Sequence, residues 1–440
     1  MPSILSKVLM PDWSVPYNCY EVGHTWTPSC TEAALELGNN LSQGLSKKFD
    51  SNGVKQSLQS IVRSSLFLSF NGFSVILLFC ITRRLMGKFY YSMCAYTPAF
   101  IGSLLAIMIE RPSRRPALAI YVANIASETI FRIFIARGYM KPVQHGEVFL
   151  FTVTMSVLLY IIKKNGFGSD PVSLALKFIV GREETKSCHS AHQQLLPIHP
   201  KDNSKSNLLR KLIDKFNSMF PKHESCPHRH RSCLTYISSA FLRSFFMGWF
   251  GKSVVKTLSK PRLLLLRPNK ISDNFLNSDH LYFGLFLASF TAIYKGVNCS
   301  LRFASNQSHD WHSFIAALFA GPTMFLSPNT SITLYLMWKC IESLYCIGVK
   351  KGYIRFVMPT VHLVYALSTA QLFYSAVLEP KHMKPSYMKF LDRMTAHRLH
   401  LLNRMVLDVF GTDASAGYES FLPDFHLQYT TKRFQESLFD

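Results

Sequence analysis

Two kinds of side chain in this sequence could do chemistry, and the first is a set of metal-ligand types. Cys19, His24 and Cys30 lie in NCYEVGHTWTPSC at 18–30, while His223, Cys226, His228, His230 and Cys233 lie in PKHESCPHRHRSC at 221–233. Zinc takes four thiolate or imidazole donors in a tetrahedron, often with short paired spacings. Neither set holds a CxxC pair, so each reads either as a zinc site or as a solvated loop. The second kind is ionisable residues inside apolar runs. Asn124, Glu128 and Arg132 recur every four residues and therefore form one polar stripe on a helix. Glu342, in a second apolar run, has Lys339 one turn earlier. Such a stripe either lines a groove that passes lipid, protein or solute, or staples helices together with its carboxylate neutralised by a neighbouring base. No GxSxG, HExxH, P-loop or dinucleotide fingerprint occurs in a supporting context, and a non-enzymatic protein is expected.

Helices must position these groups. The chain of 440 residues is 48% apolar with a mean hydropathy of +0.12. Its apolar residues clump into eight candidate spans, at 66–82, 95–110, 117–136, 147–162, 281–297, 311–326, 331–349 and 360–378. Several are short for a hydrocarbon core of about 30 Å, which requires local thinning or helix association. Small residues at four-residue spacing supply the close contacts by which spans associate in lipid: Gly102 with Ala106, Ala119 with Ala123 and Ser127, Ala316 with Ala320, and Ala317 with Gly321.

The runs are duplicated. Residues 98–161 align with 312–375 without a gap, pairing Phe100 with Phe314, Ala106 with Ala320, Tyr121 with Tyr335, Glu128 with Glu342, Gly138 with Gly352, Tyr139 with Tyr353 and Tyr160 with Tyr374. Two copies of a multi-helix unit commonly build a membrane protein around a pseudo-symmetric interface. The expected fold is therefore an all-α, multi-pass membrane protein of two tandem four-helix units joined by a basic linker. The expected parts are a Cys/His-containing region at 1–60, units at 61–165 and 279–380, the linker at 166–278 and a basic tail at 381–440. Within the linker, 233–258 reads as an interfacial helix or a ninth span, since Arg243 near its centre would be costly in lipid. An even number of spans per unit leaves both termini and the linker on one face.

The charge of +22 is concentrated in the linker from Arg182 to Lys270, which suits anionic lipid headgroups. Nucleic acid is not expected, because no binding motif accompanies the charge. Ten scattered cysteines with no disulfide framework fit a reducing compartment. The first thirty residues lack the apolar core of a secretory signal.

Seven motifs carry a family resemblance: NCYEVGHTWTPSC at 18–30, GKFY at 87–90, ERPSRRP at 110–116, FIVGREE at 178–184, ASFTAIYKG at 288–296, KPSYMKFL at 384–391 and VLDVFGT at 406–412. Together and in this order they resemble the transmembrane protein 135 family, also called peroxisomal membrane protein 52. The resemblance implies a cysteine-rich amino-terminal region and membrane modules similar to the four-helix inner-membrane translocases and small peroxisomal membrane proteins. It also implies residence in peroxisomal and mitochondrial membranes, and roles in mitochondrial fission–fusion balance, peroxisome organisation and lipid metabolism. Cytosolic fission machinery or lipid-handling proteins would then be partners. It supplies no catalytic residues. A conduit for lipid or protein between the two repeats is the alternative reading.

Overall fold

The computed structural model describes residues 14–37, 54–168, 170–181, 184, 226, 232–258, 277–355, 359–395, 397–418 and 425–436. Helix dominates, as the apolar runs predict; the described strands are the two-residue pair Ser14–Val15 and Phe89–Tyr90. The long helices are α1 (Val54–Met86), α2 (Tyr96–Ile107), α3 (Arg115–Ala136), α4 (Gly146–Asn165), α5 (Pro171–Val180), α6 (Cys233–Leu258), α7 (Ser278–Ser305), α8 (Trp311–Ala320), α9 (Thr330–Lys350) and α10 (Thr360–Leu378). A short amphipathic helix, α11 (Pro385–Met394), follows.

Among the described residues, five helices are long and apolar enough to cross a membrane: Val62–Met86 within α1, then α3, α4, α9 and α10. They take five of the eight expected spans. The segments 95–110 and 311–326 fall on shorter apolar helices. The segment 281–297 lies in the 28-residue α7, which buries His280, Lys295 and Arg302. The protein is an all-α, multi-pass membrane protein.

The helices fall into two compact units, and the second repeat does not simply follow the first. One unit comprises Met1–Pro142 with Arg355–Asp440; the other comprises Val143–Ile354. The fourth helix of each repeat has therefore changed places. In the first unit α10 packs on α2 and α3; in the second, α4 packs on α8 and α9. This departs from tandem bundles at 61–165 and 279–380. The chain crosses between units after Pro142 and again after Ile354, and repeat-equivalent turns precede both crossings. Gly138 and Gly352 each adopt φ +74, a conformation open to glycine without steric cost. Around them Arg137 N–H donates to Ile133 O as Lys351 N–H donates to Ile347 O, both at 2.9 Å. The duplication thus persists at the level of single backbone hydrogen bonds.

Each unit has its own apolar core. In the second, Phe151, Met155, Leu158 and Leu159 of α4 meet Phe286, Phe290 and Tyr294 of α7 and Ala316, Ala317 and Ala320 of α8. In the first, Tyr365, Leu372 and Ala376 of α10 meet Phe67 of α1, Ala106 and Ile107 of α2, and Ala119 and Val122 of α3. Small residues sit at the tightest approaches. A Cβ on Gly102 would stand 3.2 Å from the backbone nitrogen of Val75, and one on Gly321 would stand 2.6 Å from the Thr152 Cβ. Helix α6 lies along α7, with a Cβ on Gly248 only 3.0 Å from Gly284 Cα. Its Arg243 donates to the Phe178 carbonyl at 2.8 Å and stands over the Phe178 ring.

The amino-terminal region and the tail are not separate parts. Ser14–Val15 pairs antiparallel with Phe89–Tyr90. Thr431 N–H donates to Glu21 Oε1 at 2.5 Å, Asn18 Nδ2 to Tyr429 O at 2.9 Å, and Thr25 Oγ1 to Leu401 O at 2.6 Å. Arg398 pairs with Glu36 and stands over the Trp26 ring.

Candidate metal centre

Cys19 opens a one-turn helix, Cys19–Val22, that its flanking residues hold in shape. Asn18 caps it: Glu21 N–H donates to Asn18 Oδ1 at 2.9 Å, and Asn18 N–H donates to Glu21 Oε2 at 2.6 Å. Such a reciprocal box satisfies two otherwise orphaned donors. The turn closes as Gly23 N–H and His24 N–H both donate to Cys19 O, which brings His24 back towards Cys19. Gly23 is required there, since a Cβ would stand 2.4 Å from the Phe79 ring of α1. Cys30 begins the next helical stretch, 30–37.

These three residues converge on Cys80, buried in α1. One ligand atom from each of Cys19, His24, Cys30 and Cys80 lies within 4.8 Å of all the others. In a zinc tetrahedron with three thiolates and one imidazole, neighbouring ligand atoms sit about 3.5–3.8 Å apart, so small rotamer adjustments complete the geometry. His24 is 1% exposed. Its Nδ1 lies 2.8 Å from the Thr27 carbonyl oxygen, a pure acceptor, so Nδ1 carries the proton. Nε2 is then a bare lone pair, and it is buried without a hydrogen-bond partner among the described residues. A carbonyl behind one imidazole nitrogen, with the other aimed among thiols, is the arrangement that orients a metal-ligating histidine.

The thiols are not equivalent: Cys19 is pushed up and Cys30 is pulled down. Hydrogen bonds from Cys19 and Cys80 hold Cys30 below the ordinary thiol range. Its hydrogen bond to Cys30 pushes Cys19 up to about 12. Three thiols and one imidazole are a donor set that fits zinc. The four residues would hold such an ion, which would supply a rigid cross-link between the amino-terminal segment and the first span.

Cys80 was not legible in the sequence: it stands alone in an apolar run, fifty residues beyond Cys30, with no paired spacing to mark it. Of the other expected ligand set, Cys226 and Cys233 approach each other to 3.9 Å and are joined by Cys299 of α7. His223, His228 and His230 lie outside the described residues.

The intramembrane polar candidates lie in different units. Asn124 and Glu128 are buried in α3. Glu128 accepts from Arg132 Nη2 at 2.6 Å and from Lys384 Nζ at 3.2 Å. Lys384, at the start of α11, is the partner that helix spacing could not reveal. Glu342 in α9 accepts from Lys339 Nζ at 2.5 Å, and Lys339 also reaches Asp170 at 3.4 Å. Asp170 caps α5 by accepting from Ser173 N–H at 3.1 Å. Burial raises its carboxyl, but the Ser173 hydrogen bonds and Lys339 outweigh that and hold it below the usual range. Of the small-residue positions, Ala106, Ala119, Ala123, Ala316, Ala317 and Ala320 are buried in the cores, and Ser127 donates back to the Ala123 carbonyl.

Two further polar networks escape any sequence pattern, because their members are far apart in the chain. In the first unit, Arg137 pairs with Glu379, which also accepts from the Tyr374 hydroxyl at 2.7 Å; Tyr374 meets Tyr91. They border a cavity of about 340 Å³ that also touches Gln371 and Tyr96. In the second unit, Arg302 pairs with Glu184, while Lys163 Nζ donates to the Glu184 carbonyl at 2.5 Å and Tyr236 to its carboxylate at 3.2 Å.

Fold and site together define a helical membrane protein with a cysteine- and histidine-bearing amino-terminal clasp. Residues 16–135 match the family described as the N-terminal cysteine-rich region of Transmembrane protein 135, so this region is similar to that family. The match contains all four residues of the clasp. No solved structure matches the chain.

Proposed function

We propose that the protein is a non-enzymatic organiser of peroxisomal and mitochondrial membranes. It acts on fission–fusion balance, peroxisome organisation and lipid metabolism by presenting its joined termini to cytosolic partners. The observation that carries this reading is the pairing of the intramembrane acids with bases. Glu128 is held between Arg132 and Lys384, and Glu342 against Lys339, each within its own unit, as expected of staples rather than of groups lining a path. A zinc ion on Cys19, His24, Cys30 and Cys80 ties the presented surface to the first span. The family resemblance supports the choice of membranes.

The cavity beside Arg137 and Glu379 favours one other reading, a conduit for lipid or an anionic solute. Purified protein in liposomes separates the two. The organiser gives no lipid scrambling or ion flux above empty vesicles. Flux that disappears in Arg137→Gln would establish the conduit instead. Zinc is measured on the same protein: His24→Ala should lose one equivalent per chain and expose the region around residues 14–37 to protease, and an unchanged zinc content would remove the clasp from the proposal.

A further inference from the structure

The second unit holds a thiol cluster of its own. The sulfurs of Cys226, Cys233 and Cys299 all lie within 4.8 Å of one another, with Cys226 and Cys233 at 3.9 Å. Cys226 and Cys299 are buried, and Tyr236 packs with them. Their placement repeats that of the first cluster. Cys80 lies six residues before Met86, the last residue of α1, and Cys299 lies six residues before Ser305, the last residue of α7. In each unit, thiols from the chain ahead of the long leading helix converge on a cysteine near that helix's carboxyl end.

The surroundings are buried and charged. Lys163, Lys295, Arg302 and Glu184 are each no more than 5% exposed. Tyr236 ties them to the cluster: Lys295 Nζ stands 4.0 Å from its ring centroid, and its hydroxyl donates to Glu184. Cations near a cysteine cluster stabilise bound thiolate over thiol.

We propose that Cys226, Cys233 and Cys299 form a second metal site, taking a thiophilic d10 ion, zinc(II) or copper(I), through three thiolates. Soft thiolate ligands select these ions. The site is independent of the amino-terminal clasp, and its ion would lock α6 to α7 through Cys233 and Cys299.

The test uses the full chain in detergent, reduced and stripped by chelator, then titrated separately with cobalt(II), zinc(II) and copper(I). With cobalt(II), the wild type should show two thiolate-rich sites. Cys19→Ser with Cys80→Ser should keep one ion per chain, and Cys226→Ser with Cys299→Ser should lose that one while keeping the first. The zinc and copper arms identify which ion binds more tightly. Metal-dependent protection of Cys226, Cys233 and Cys299 from alkylation, read by peptide mass spectrometry on the wild type, serves if a variant fails to fold. Absence of protection, or no bound ion in the folded Cys19→Ser, Cys80→Ser protein, overturns the proposal whatever becomes of the clasp. A Cys226–Cys233 disulfide in protein isolated anaerobically, without reductant, also overturns it.

Discussion

Glu128 shows how a single residue can look functional in sequence and structural in the fold. A carboxylate in a span invites a transport reading, and Arg132 one turn on supplies its first partner. Lys384, 256 residues later, supplies the second. Replacing Glu128 by Gln leaves two cations facing a neutral amide. Because Arg132 and Lys384 remain partly exposed, solvent screens part of the loss, and the expected destabilisation is about 1–3 kcal/mol. Denaturant unfolding in micelles should show it. Adding Arg132→Met alone should recover only part, since Lys384 still lacks the Glu128 carboxylate; adding Lys384→Met as well should recover most. Full recovery by Arg132→Met would mean that Lys384 contributes nothing. Glu184 behaves differently because it is sealed. Burial raises its carboxyl, but Arg302, then Lys163 and Lys295, outweigh that and hold it below the usual range. A carboxyl depressed in the folded state stabilises fully above its unfolded value, about 4.3, and the contribution fades as pH falls through the depressed value. Melting temperature should therefore fall more steeply with acidification below about pH 4 in the wild type than in Glu184→Gln. That variant should itself be destabilised at neutral pH by about 3–5 kcal/mol for the broken buried Glu184–Arg302 pair.

Among the elements, apolar runs reveal which segments are helices but not which helices meet. Length and hydropathy placed α3, α4, α9 and α10 within a few residues, while α1 begins twelve residues before the expected 66–82. They also marked 281–297, inside α7, but α7 is not among the helices apolar enough to span, because its buried Lys295 and Arg302 lower its hydropathy. Small-residue spacing marked Gly321, yet its neighbour proved to be Thr152, which sequence assigns to the other repeat. The same limit hid Cys80: three of the four ligands were visible at 18–30, and the completing ligand belonged to a helix read only for its apolar length. The Gly321 contact predicts a steep local penalty. In Gly321→Ala the new Cβ would meet Thr152 Oγ1 at 2.4 Å and its Cβ at 2.6 Å, so α4 must shift. Overpacking of this kind costs about 1–3 kcal/mol. Thr152→Gly in the same chain should restore much of the lost stability, whereas Gly251→Ala, which has nothing within 4 Å of its Cβ, should change little. Equal effects at the two glycines would show that the close approach of Gly321 to α4 is not maintained.

For the whole molecule, the exchange of α4 and α10 makes each unit depend on both repeats. The gapless alignment implied two bundles built from consecutive helices, because sequence similarity reports common ancestry of segments and is silent about which copy they pack with. The exchange has a stability consequence that a tandem arrangement would not. A fragment of residues 1–165 contains the first repeat complete, but it lacks α10, whose Tyr365, Leu372 and Ala376 fill the first core. It also lacks the tail that receives Asn18, Glu21 and Thr25. Removing one large core side chain costs about 2–5 kcal/mol, so losing a helix that contributes several exceeds the roughly 5–15 kcal/mol by which a domain is stable. The fragment should therefore be degraded or unfolded, and its clasp should not retain zinc against chelator. Co-expression of residues 166–440 should rescue it as a stable, co-purifying pair, since the cut falls between α4 and α5 and leaves every helix of both units present. A fragment 1–165 that folded alone, with the zinc affinity and melting temperature of the intact chain, would show that the first unit does not need α10.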